Sequence, residues 1–234
     1  MLTKNQIKLI RSLSIKKNRI KHSLFIVEGE KLVNEIIKSD WEIESIFATR
    51  EWSGNNATII SKSDLCRISN QKSPNKVLAL VRIKENFSST PNNTIIALDS
   101  IKDPGNLGTI IRVADWFGVK NILCSKDCVD CFNPKVIQSS MGSFLRVNIT
   151  YTDLLNSFEL HSDYEIFATV LNGTPINRVT SKNKKIIVLG NESRGIRSEI
   201  LEKAHEKITI PKSESSKAES LNVSIASAIV LSIL

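Results

Sequence analysis

Three separated stretches carry side chains that could act together on a small polar ligand. The first, residues 98–118, contains Asp103-Pro104-Gly105-Asn106 and, six residues after Asn106, Arg112. The second, residues 187–196, contains Gly190, Glu192 and Gly195. The third joins residues 208–211 to residues 218–228 and includes Ser220 and Asn222. In each, an apolar run gives way to a glycine or proline turn and then to polar residues at a helix start. Backbone amides exposed at such junctions hold polar or anionic groups. A guanidinium, two carboxamides and a carboxylate could bind a substrate, orient it and stabilise developing charge. Taken singly, each stretch also has a plainer reading. Asn106 and Ser220 suit helix caps, Glu192 suits a helix N-terminus, and Arg112 suits a surface position.

The elements needed to hold these loops are legible as alternating strands and helices. Residues 94–99 are almost all apolar, as in a strand buried on both faces of a parallel sheet. Further strands are expected at 121–124, 165–170, 185–189 and 207–210. Helices are expected at 133–139, 152–160 and 198–204, with a closing helix from near Leu221. Such alternation gives a parallel sheet covered on both faces, with ligands at the strand-to-helix junctions. Upstream, a basic amphipathic helix is expected over residues 3–21. A smaller α/β module follows, with strands at 25–27, 43–49, 58–60 and 77–81 and a short helix at 63–67. The polar stretch 85–93 reads as the boundary, giving domains of 1–90 and 91–234.

The chain has 234 residues, 41% of them hydrophobic, enough for one large or two small globular domains. The longest apolar stretch, 223–234, is broken by three serines and is too short to cross a bilayer. The N-terminus lacks a secretory apolar region, so a cytoplasmic location without a membrane partner is expected. The net charge is +8, and residues 1–93 hold +7 of it. Seven cations, including Lys16, Lys17, Arg19 and Lys21, precede the first acid, Glu28. A one-sided basic block attracts polyanions in a salt-sensitive way; a solvated helix face is the plainer alternative. Cys124, Cys128 and Cys131 have the C-x3-C-x2-C spacing that some radical enzymes use to ligate a four-iron cluster. Here the motif stands mid-chain in a short protein. Buried, reduced thiols without a metal are the favoured reading.

Together, in order and at these separations, the three stretches closely resemble motifs 1, 2 and 3 of the SpoU/TrmH RNA ribose methyltransferases. Residues 103–112 (DPGNLGTIIR) resemble motif 1, residues 189–195 (LGNESRG) motif 2 and residues 220–224 (SLNVS) motif 3. Residues 140–146 (SMGSFLR) resemble the connecting segment of the family. Residues 25–33 (FIVEGEKLV) resemble its small substrate-binding domain, which is similar to certain ribosomal proteins. The resemblance implies an α/β fold whose C-terminal parallel-sheet domain is tied in a deep trefoil knot. It also implies a homodimer whose active sites draw on both subunits. The implied activity is transfer of a methyl group from S-adenosyl-L-methionine to a ribose 2′-hydroxyl of RNA, ribosomal RNA first. Transfer RNA, or a non-catalytic RNA-binding role, is the alternative.

By the same resemblance, Arg112 lies nearest the reacting hydroxyl and Asn106 helps to orient it. Whether Arg112 acts as a base or as a charge stabiliser stays open. Glu192, Ser220 and Asn222 shape the site, while Leu189, Gly190, Ile210, Leu221 and Thr169 hold the cofactor. Lys16, Lys17, Arg19 and Lys21 then contact RNA phosphates.

Overall fold

The basic N-terminal stretch forms two short helices where its period suggests one. A computed structural model describes residues 2–84, 93–180 and 184–234. In it α1 (Lys4–Ser12) starts at a capping box in which Thr3 and Gln6 each accept from the other's backbone amide. After an extended Ile15 the chain resumes as α2 (Lys16–His22). The break has a side-chain partner. The Arg19 guanidinium turns back to donate to the Leu13 and Ser14 carbonyls at 2.8 and 2.9 Å, groups that the end of a helix leaves free. Its Nε donates to Asp130 at 2.9 Å, and the residue is 2% exposed. The expectation that Arg19 meets phosphate is therefore corrected: its donors are spent inside the fold. Lys16, Lys17 and Lys21 are exposed on α2.

The chain divides into two compact units, Met1–Phe87 with Asp130–Leu145, and Ser88–Val129 with Arg146–Leu234. The first contains β1 (Leu24–Glu28), α3 (Glu30–Ile37), β2 (Ile43–Ala48), β3 (Thr58–Ile59), α4 (Lys62–Ile68) and β4 (Val77–Arg82). Its sheet has the order β1-β4-β2-β3; β4 runs antiparallel to both neighbours and β3 parallel to β2. Ile10 and Leu13 bury against Leu65, Ile68 and Leu78. Phe25 and Trp41 pack with Phe132 and Phe144, ring centroids 4.7–6.2 Å apart, which accounts for the later segment belonging to this unit. The boundary expected at 85–93 lies, apart from Asn93, outside the described residues.

The second unit is built on β5 (Thr94–Leu98), a fully parallel strand whose Ile95–Leu98 stretch is buried. α5 (Pro104–Trp116) and β6 (Asn121–Ser125) follow; α6 (Pro134–Ser140) belongs to the first unit. Then come β7 (Asn148–Thr152), α7 (Leu154–Leu160), β8 (Glu165–Pro175), β9 (Lys185–Leu189), α8 (Ser198–Leu201), β10 (Glu206–Thr209) and α9 (Val223–Ile233). The six strands are all parallel, in the order β10-β8-β9-β5-β6-β7. From β5 the chain steps outward through β6 and β7, then crosses to the other side. β5 and β9 thus flank the point where strand order reverses, and the crevice beyond their carboxyl ends is where open α/β sheets bind ligands.

Further elements depart from the expected layout. β7 was not expected; it is a half-exposed edge strand, Asn-Ile-Thr-Tyr-Thr, with only Ile149 and Tyr151 to mark an apolar face. β8 runs on to Pro175, and its register against β10 jumps from Ala168 opposite Lys207 to Thr174 opposite Ile208. Residues 169–173 arch out there. The close return needs a glycine, since a Cβ on Gly173 would stand 2.5 Å from the Lys207 carbonyl oxygen. The closing helix starts at Val223 with Asn222 as its cap, and α5 is capped by Asp103, so neither Ser220 nor Asn106 is an N-cap. Among the described residues, no helix is long and apolar enough to cross a membrane.

Candidate active site

Asn106 joins the three chemistry-bearing stretches. Asp103 caps α5 by accepting from the Asn106 amide at 2.9 Å, and Pro104 in the first turn pre-sets the backbone. This fixes Asn106 in the opening turn of α5, at the carboxyl end of β5. Its Nδ2 donates to Glu192 Oε1 at 2.7 Å, and its Oδ1 accepts from Asn222 Nδ2 at 2.9 Å. Two side-chain hydrogen bonds thus tie the first stretch to the second across 86 residues and to the third across 116. In return, Asn222 Oδ1 accepts from the Ser224 amide and hydroxyl at the start of α9. Each partner is oriented by its own helix or loop before it reaches Asn106.

The loop carrying Glu192 is held from within. Asn191 and Gly195 exchange backbone hydrogen bonds of 3.0 and 2.9 Å. Asn191 Oδ1 accepts from the amides of Ser193 and Arg194, while its Nδ2 donates to the Ser100 carbonyl at 2.8 Å. Gly190 admits no side chain: a Cβ there would lie 2.4 Å from the Gly195 carbonyl carbon. Beneath the loop, the fully buried Asp99 accepts from Arg197 Nε at 2.8 Å and from its amide at 2.9 Å. Asp127 stands beside these groups. Burial pushes its carboxyl up, but hydrogen bonds from Lys102, Ser125 and Ser100 outweigh that and hold it below the usual range. Sequence reading missed Asn191, Asp99 and Arg197 as supports. An aspartate ending a buried strand was the available signal for one of them.

The remaining expected site residues divide into groups. Leu189 is buried at the end of β9, and Gly190 follows it half-buried. Ile210, half-buried, follows β10, and Leu221, 50% exposed, precedes the Asn222 cap. The Thr169 hydroxyl donates to the Val188 carbonyl at 2.9 Å, which ties β8 to β9 one residue before Leu189. Arg112 and Ser220 are both exposed and are not bonded to the Asn106 cluster. Arg112 lies on α5 about 9 Å along the helix from Asn106 and roughly a third of a turn round it. The thiols of Cys124, Cys128 and Cys131 are buried, and among the described residues no group of three or more metal-ligating side chains occurs. Cys128 Sγ accepts from the Ile101 amide at 3.3 Å. A hydrogen bond from Cys124 outweighs burial and holds the Cys128 thiol down at about 7. Cys128 thus braces the turn after β5, its thiol also donating to the Leu98 carbonyl at 3.3 Å.

The chain is similar to known proteins over nearly its whole length. Residues 93–232 match the SpoU rRNA Methylase family, and residues 4–79 match the MRM3-like substrate binding domain. The chain is 30% identical over 239 residues to the 23S rRNA (guanosine(2553)-2′-O)-methyltransferase RlmP of Bacillus subtilis, covering 97% of this chain and 95% of the relative. A TrmH-family chain from Porphyromonas gingivalis superposes with a TM-score of 0.88 at 34% identity, covering 99% of this chain and 97% of that one. An AdoMet-bound rRNA methyltransferase from Sinorhizobium meliloti superposes with a TM-score of 0.87 at 26% identity, covering 99% and 94%. A parallel sheet that brings Asn106, Glu192 and Asn222 together, matched along nearly its whole length, identifies the chain as a member of the SpoU rRNA methylase family.

Proposed function

We propose that this protein transfers a methyl group from S-adenosylmethionine to a ribose 2′-hydroxyl of ribosomal RNA. The observation that carries the reading is the pair of hydrogen bonds joining Asn106 to Glu192 and Asn222. The donor set suits the cofactor. The half-buried Gly190 and Ile210 follow β9 and β10 of one sheet, and the exposed Leu221 precedes the Asn222 cap of α9; their backbone groups are the ones the cofactor would meet. When bound, S-adenosylmethionine supplies a methyl group on a positively charged sulfur.

The chain's own residues then do the rest. Asn106, held from both sides, orients the ribose so that its 2′-oxygen is in line with that methyl; alignment of this kind supplies about 7–11 kcal/mol in well-ordered systems. The Arg112 guanidinium is a cation. It holds the adjoining phosphate and stabilises the oxygen as its proton leaves to solvent. Because Arg112 stands away from the Asn106 cluster on its own α5, a homodimer in which one subunit's arginine completes the other's site belongs to this proposal. So do the trefoil knot of the C-terminal domain, a cytoplasmic location, and the assignment of residues 1–90 to RNA binding through Lys16, Lys17 and Lys21. A 2′-hydroxyl acceptor restricts the substrate to RNA.

The test is ribose-methylation mapping of an unmodified 23S rRNA transcript incubated with the protein and S-adenosylmethionine. The guanosine named for the Bacillus relative is the first position to inspect. One new 2′-O-methyl group supports the proposal; an unmethylated transcript overturns it.

A further inference from the structure

Ser100 holds a backbone conformation that its side chain disfavours. Its φ is +60°, and among the described residues of the second unit no other non-glycine residue has a positive φ. Such positions cost stability, persist only where the surroundings fix them, and gather at functional sites. Ser100 stands two residues past the end of β5 and six before Asn106. Its backbone therefore sets the direction in which the chain enters α5.

Hydrogen bonds from three sides fix it. The Ser100 carbonyl accepts from Asn191 Nδ2 at 2.8 Å, the contact that attaches the Glu192 loop. Its amide donates to Ser125 Oγ at 2.8 Å. Its hydroxyl donates to Asp127 Oδ2 at 2.7 Å, in preference to Asp99 Oδ1 at 3.4 Å. The Ser125 hydroxyl in turn donates to Asp127 Oδ1 at 2.7 Å. Asp127 thus orients both hydroxyls that hold Ser100, one on its side chain and one under its amide, through charge-assisted bonds. Lys102 Nζ meets Asp127 Oδ2 at 2.8 Å, but the two side chains are 55% and 51% exposed, and such a pair contributes little by itself. Asp127 lies in the turn after β6, outside all three motif stretches.

We propose that Asp127 is a positioning residue for methyl transfer: it holds the Ser100 turn in the left-handed conformation that sets Asn106 and the Glu192 loop for reaction. Asp127 acts through Ser100 and not on the substrate. This inference rests on the methyltransferase reading. Residue 100 itself supplies the test. Glycine takes a positive φ without a side chain to hold it there, so a glycine at this position dispenses with Asp127.

Single-turnover methyl transfer to an unmodified 23S rRNA transcript is measured with the full chain at saturating S-adenosylmethionine, together with the transcript Kd and the melting midpoint. Asp127→Ala is expected to slow the transfer roughly tenfold, with little change in transcript Kd. Asp127→Asn, which keeps an acceptor for one hydroxyl, falls between it and the wild type. The double variant Ser100→Gly/Asp127→Ala is expected to be faster than Asp127→Ala by about threefold or more. Rescue by a glycine that restores no hydrogen bond marks a positioned turn, because a general loss of stability would be deepened by the second change. Should Asp127→Ala be unfolded at the assay temperature, Asp127→Asn with and without Ser100→Gly makes the same comparison. A wild-type rate in the folded Asp127 variants, or a double variant as slow as its single parent, overturns the positioning role and leaves the methyltransferase reading intact. A wild type that leaves the transcript unmethylated overturns both.

Discussion

Arg19 and Lys16 differ by three positions in one basic run, yet they do unrelated work. Arg19 turns inward to the Leu13 and Ser14 carbonyls and to Asp130, while Lys16 stays on the surface. A count of cations cannot separate them, because the difference lies in a partner 111 residues away. Replacing Arg19 by Ala leaves Asp130, whose side chain is 14% exposed, without its cation. Denaturant unfolding is expected to show a loss of about 3 kcal/mol, against nearly none for Lys16→Ala. The Asp127 carboxyl gives a pH-dependent signature. Its folded pKa is depressed below the ordinary aspartate range, so the stabilisation is present above the unfolded pKa and fades as pH falls toward the folded one. Wild type is thus expected to exceed Asp127→Asn in stability at neutral pH, with the difference shrinking below about pH 4. A constant difference across that window would remove this account of the carboxylate. The motif residues themselves were legible: Asn106, Glu192 and Asn222 were all marked by their place after apolar runs.

At the scale of elements, sequence reading did best where burial is two-sided. The apolar runs of β5 and β9 have no other use, whereas β7 is an edge strand and displays no such pattern. The β8 arch was invisible for a related reason: a register jump depends on what the neighbouring strand does. Helix starts went astray where two capping residues compete. Asp103 won over Asn106, and Asn222 over Ser220, which left Asn106 free for the hydrogen bonds that define the site. The loop after β9 carries its own prediction. A methyl group at residue 190 would meet backbone, which cannot swing aside. Gly190→Ala is therefore expected to lose about 2 kcal/mol of stability and to weaken S-adenosylmethionine binding, read by unfolding and by calorimetry. Unchanged affinity would detach this loop from the cofactor site.

For the whole molecule, the uneven charge is the property most open to test. The first 93 residues hold +7 of a net +8, and α2 exposes Lys16, Lys17 and Lys21. Replacing these three lysines by Ala is expected to weaken RNA binding at all sequences and to lower the slope of log affinity against log salt by about 2–3. An unchanged slope would make α2 a merely solvated face. The central claim is that loops from three distant parts of the chain form one catalytic unit around Asn106. The measurement that tests it most directly is a double-mutant cycle on single-turnover methyl transfer to 23S rRNA, using Asn106→Ala, Asn222→Ala and the pair. Convergence predicts that the two changes are strongly non-additive, with a coupling of about 0.5–3 kcal/mol. Strictly additive losses would show the two carboxamides acting apart and contradict the account.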